Sequence, residues 1–74
     1  MKELMSFLEQ LDERKIYYKI NKVRDSILVE VAVPGQRWEV EFFETGEVQI
    51  EKFLSDGTLY PKSELDTLFR DFSD

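Results

Sequence analysis

The sequence predicts an α+β fold. A four-stranded antiparallel β-meander, with room for a short fifth strand, carries N- and C-terminal helices on one face as a two-layer sandwich. Three observations lead there. Apolar residues recur at helical spacing near both ends, they recur at a period of two in between, and short turn sequences punctuate that middle region.

Leu4, Phe7, Leu8 and Leu11 follow the i, i+3, i+4, i+7 spacing of one helix face, with Glu9, Asp12 and Glu13 on the wet side. Ile16, Tyr18 and Ile20 then alternate with Tyr17, Lys19 and Asn21. Ile27, Val29, Val31 and Val33 alternate with Leu28, Glu30 and Ala32. Trp38, Val40 and Phe42 are separated by Glu39 and Glu41, and Val48 and Ile50 stand among Glu47, Gln49 and Glu51. Each of these runs is a strand with one apolar face. The stretch from Leu54 to Tyr60, with its Asp56-Gly57 turn signal, is where a fifth strand would fit. Leu65, Leu68, Phe69 and Phe72 repeat the helical spacing, and Ser63 followed by Asp66 resembles a capping box. Pro61 could start that helix slightly earlier.

The turns set the strand register. Arg24-Asp25 makes a two-residue turn with Val23 opposite Ser26. Pro34-Gly35 suits the centre of a type II turn, with Val33 opposite Gln36. Glu44-Thr45-Gly46 fits a type I turn followed by a left-handed Gly, setting Phe43 opposite Glu47. Inward residues then meet inward residues: Ile20, Val29, Val40 and Ile50 form one row, and Tyr18, Val31 and Trp38 the next. A one-residue slip would turn a strand's apolar set to the other side.

The opposite face reads Lys19, Glu30, Glu39, Glu51 in one cross-strand row. Its neighbours read Asn21, Leu28, Glu41, Gln49 and Tyr17, Ala32, Arg37, Phe53. Opposed carboxylates cost a sheet a few tenths to ~1 kcal/mol per pair. Three readings follow. The carboxylates form a solvated face that keeps a small protein soluble, or Tyr17, Lys19, Leu28, Glu30, Glu39, Glu41, Glu51 and Phe53 form a docking surface for a basic protein. In the second, charge steers the encounter and apolar side chains hold it. In the third, the Leu54 to Tyr60 segment or the last helix folds over the apolar members of this face. Trp38 falls inward and belongs to the core. The outer edge of the last long strand, Glu47 to Phe53, is a candidate for pairing with a copy of itself, although its charges oppose that.

Composition narrows the function. The 74 residues make one domain, 1–74, bracketed by matched helices after an initiating Met. A formal net charge of −6 argues against nucleic acid as partner. With neither His nor Cys, the chain has no means for His/Cys zinc sites, Cys or His nucleophiles, or disulfides. No Gly-rich phosphate loop occurs, and Glu39, Glu41 and Glu51 lack EF-hand spacing. The expectation is therefore a non-catalytic protein without metal or cofactor. The N-terminus lacks a signal-peptide pattern, and no apolar run would span a membrane. A cytoplasmic location follows as the default. A chain this short buries roughly 60% of its unfolded surface, so a partner or a second copy would add to its stability.

The run Arg37-Trp38-Glu39-Val40-Glu41-Phe42-Phe43-Glu44-Thr45-Gly46-Glu47-Val48-Gln49-Ile50-Glu51, ending in Ser55-Asp56-Gly57, resembles one found in small bacterial proteins. Some of those resemble immunity proteins of polymorphic toxin systems. The resemblance covers a quarter to a third of the chain and transfers no binding residue to any position. It implies a small acidic inhibitor that masks a basic toxin such as a nuclease. The alternative is a small adaptor or regulatory subunit, with a homodimer through the last strand or the sheet face.

Overall fold

The computed structural model describes residues 2–53 and 59–72. Its elements are α1 (Lys2–Glu13), β1 (Tyr17–Val23), β2 (Ser26–Val33), β3 (Gln36–Phe43), β4 (Val48–Lys52), β5 (Leu59–Tyr60) and α2 (Glu64–Phe72). The strands form one antiparallel sheet in the order β1-β2-β3-β4-β5. This is the expected α+β meander between two helices, completed by the short strand Leu59–Tyr60. The Asp56-Gly57 turn and the rest of the stretch from Leu54 lie outside the described residues.

Local chemistry explains where the elements stop. α1 ends in a Schellman motif: Ile16 N–H donates to the Leu11 carbonyl (2.9 Å) and Lys15 N–H to that of Asp12 (3.1 Å). The motif needs a left-handed residue between them, and Lys15 supplies it with φ 56° in place of the usual Gly. Leu11 and Ile16 are both buried, the apolar contact that accompanies this cap. Gly35 has φ 77° after Pro34, as a type II turn requires. At the next bend Gly46 has φ 96° and its N–H donates to the Phe43 carbonyl (3.0 Å), while Phe43 N–H donates to that of Glu47 (2.9 Å). Ser63 directly precedes α2, and its carbonyl accepts from Asp66 N–H (3.1 Å).

All three expected registers are present: Val23 opposes Ser26, Val33 opposes Gln36, and Phe43 hydrogen-bonds to Glu47 beside the Phe42–Val48 pair. The inner face meets the helices in a single core. Leu4, Phe7 and Leu11 from α1 and Leu68 from α2 pack with Val29, Val31, Trp38, Val40, Phe42 and Ile50 from the sheet. Fully burying one such side chain contributes about 1.5–3 kcal/mol. Phe7 joins the layers, its ring centroid 5.5 Å from that of Phe42 and 5.7 Å from that of Phe69. The helices are tied at both ends: Glu3 pairs with Lys62, and the Arg14 guanidinium lies 4.7 Å from the Phe69 ring centroid.

Three features depart from the sequence reading. Ile20 heads the inner apolar row yet stays 49% exposed, because the core-forming residues of both helices cover β2 to β4 and leave β1 largely bare. Lys52, also on the inner face, opposes Trp38. The outer edge of β4 is taken by β5 through Ile50–Tyr60 and Glu51–Leu59, so the long unpaired edge is that of β1.

Candidate functional site

The outer face of the sheet holds the residues singled out above. Lys19, Glu30, Glu39 and Glu51 are consecutive cross-strand partners on β1, β2, β3 and β4. Asn21, Leu28, Glu41 and Gln49 form the next row. Tyr17, Ala32 and Arg37 form the third, and Phe53 N–H donates to the Arg37 carbonyl (2.8 Å), which extends that row past the end of β4. The two helices pack on the other face and cover none of these groups.

The four carboxylates are half-buried, while Lys19, Tyr17 and Phe53 are exposed. Side chains from the same face contact Glu30, Glu41 and Glu39. Asn21 Nδ2 donates to Glu30 Oε2. Ser26 Oγ lies 2.6 Å from Glu41 Oε2 and 3.0 Å from the Val23 carbonyl, so its single proton is shared between two acceptors. Arg37 Nη2 stands 3.7 Å from Glu39 Oε2, and its guanidinium lies 4.4 Å from the Phe53 ring centroid. Glu39 is thus flanked by Glu30 and Glu51 along its row, with Arg37 two residues away along the strand. Asn21, Ser26 and Arg37 escaped the sequence-based choice of site residues. Asn21 and Arg37 were legible as same-face neighbours of Glu30 and Glu39; Ser26 looked like a turn residue only.

Two open depressions mark this face. One, of about 50 Å³, is bounded by Leu28, Glu39, Glu41, Gln49 and Glu51. The other, of about 220 Å³, is bounded by Tyr17, Lys19, Glu30, Ala32 and Arg37. Both fall below the roughly 300–1,000 Å³ of small-molecule sites. The acidic row between them is a relief feature of a broad surface. Larger grooves of about 390 and 500 Å³ flank α1 on the opposite side, one between the helices beside Phe7 and Phe69, the other between α1 and the β3–β4 bend. Among the described residues no group of three or more Asp or Glu is arranged to hold a metal ion. No helix there is long and apolar enough to cross a membrane. No protein-family model, curated protein or solved structure matches the chain.

Proposed function

We propose that this chain is a non-catalytic protein-binding module, acting in the cytoplasm as a small immunity- or antitoxin-like inhibitor that masks a basic protein such as a nuclease toxin. The observation that supports this reading most is the contiguous alignment of Glu30, Glu39 and Glu51 across three strands, with Glu41 beside them. A sheet gains nothing from opposed carboxylates. A cleft built to hold phosphates gains a substitute for them. Glu30, Glu39, Glu41 and Glu51 supply the charge, Tyr17 and Phe53 the apolar anchors, Leu28 the floor between, and Lys19 the cationic end of the row. Blockade is steric and electrostatic, and needs no bond-making step.

The test uses the protein encoded beside this chain as the candidate partner, with association followed by biolayer interferometry at low salt. In the Glu39→Lys/Glu51→Lys variant, association slows at least tenfold and its salt dependence shrinks. Unchanged kinetics in a folded double variant would remove this face from the account.

A further inference from the structure

We propose that β1 pairs antiparallel with β1 of a second copy of this chain, about a two-fold axis through Ile20, so that the sheet continues across a symmetric dimer. β1 is an end strand, and among the described residues nothing pairs with its outer edge. Of the five exposed large apolar side chains among the described residues, three lie on it: Tyr17 at 63%, Ile20 at 49% and Val23 at 41%. A strand bare on one edge, with exposed apolar side chains on both faces, is a template for strand addition.

Backbone parity allows the pairing. Val23 and Ser26 close a two-residue bend and exchange hydrogen bonds, so the alternation along β1 aims the N–H and C=O of Tyr18, Ile20 and Lys22 away from β2. Centred on Ile20, the two strands set Ile20 against Ile20, Tyr18 against Lys22 and Lys22 against Tyr18. About six main-chain hydrogen bonds result.

The side chains favour this register over its neighbours. On the outer face Tyr17 meets Val23 of the second copy, twice by symmetry. Lys19 meets Asn21, whose amide already donates to Glu30, so a carboxylate stands behind the contact. On the inner face Lys22 meets Tyr18, whose hydroxyl donates to Asp12 Oδ1 (2.9 Å), so that cation also approaches an anion. A shift of two residues one way opposes Lys19 to Lys19. The same shift the other way sets Ile20 against Lys22 and shortens the ladder. Like charges directly opposed destabilise a pair, which leaves the Ile20-centred arrangement. It also explains why Ile20 keeps an apolar side chain at the open end of the inner row. This inference does not rest on the inhibitor reading: it uses the strand edge and none of the four carboxylates as a contact, and shares only Tyr17 and Lys19 with that surface.

The absence of native Cys makes a register test direct. Tyr17→Cys and Val23→Cys chains, mixed under mild oxidation, form a disulfide-linked heterodimer, whereas either alone forms at least tenfold less, because like positions sit at opposite ends of the ladder. Cross-linking of the mixture no greater than of the single variants overturns the pairing. Sedimentation of the wild-type chain from 10 μM to 1 mM gives a dimer, and a monomer throughout that range also overturns it. Ile20→Pro removes an N–H that β2 does not use and weakens self-association more than tenfold. Should that variant lose its circular dichroism, Ile20→Lys serves in its place; a folded variant that still dimerises as wild type overturns the proposal. Glu39→Lys/Glu51→Lys retains the dimer, which separates this result from the fate of the acidic face.

Discussion

Lys52 Nζ lies 2.5 Å from Glu64 Oε2 on the inner side of the sheet, between the Trp38 and Tyr60 rings at 4.8 and 4.3 Å from their centroids. The two side chains are only 17% and 22% exposed. Glu64 opens α2, where the helix dipole favours an anion, so one cation ties the end of β4 to the start of the second helix. Lys52→Ala is expected to cost about 1–2 kcal/mol, combining a partly desolvated ion pair with two cation–π contacts. Lys52→Met keeps the stem and loses less. Urea denaturation followed by circular dichroism checks both values.

Lys15 holds the left-handed position of the α1 cap at a cost that Gly would not incur. Lys15→Gly is expected to raise stability by about 0.5–1 kcal/mol after the added freedom of the unfolded chain is subtracted. The midpoint of urea unfolding should rise with no change in its slope.

Glu39 faces a carboxylate on each side, and its contact with Arg37 is a surface pair of little worth. Glu39→Gln should stabilise the fold by a few tenths to ~1 kcal/mol. The gain should shrink in high salt, where the repulsion is already screened. Thermal melts at two salt concentrations measure this, and loss of partner binding in the same variant would mark the row as kept for recognition.

The Tyr18 phenol is pushed above its usual value, first by its hydrogen bond to the Asp12 carboxylate, then by burial and by the repulsion between that carboxylate and a phenolate. The folded state therefore holds this proton more tightly than the unfolded chain does. Its contribution to stability is full below the ordinary tyrosine range near pH ~10 and is lost as pH rises through the native value. Ultraviolet titration should show the Tyr18 step above the ordinary tyrosine range. Tyr18→Phe should abolish that step and flatten the alkaline loss of stability.

Much of this architecture was legible because the bends are short and chemically specific. Pro34-Gly35 and Glu44-Thr45-Gly46 each admit one register, and alternation then places Glu30, Glu39 and Glu51 on one face. Alternation does not say which strands the helices cover, so the exposure of Ile20 was hidden. Nor does it reveal Lys52, whose partners Trp38, Tyr60 and Glu64 come from other elements and meet only after the chain has folded. The Lys15 cap escaped for another reason: the usual Gly signal is missing from it.

The chain has a single tryptophan, and it sits 1% exposed beneath the Lys52 ammonium. Its indole N–H donates to Gln36 Oε1 (2.8 Å), so the ring is held at both ends. The molecule thus carries a built-in optical gauge at the seam between sheet and second helix. Detachment of that helix alone would change the emission colour while the hairpins remain intact, and stopped-flow fluorescence could time that step separately from global melting.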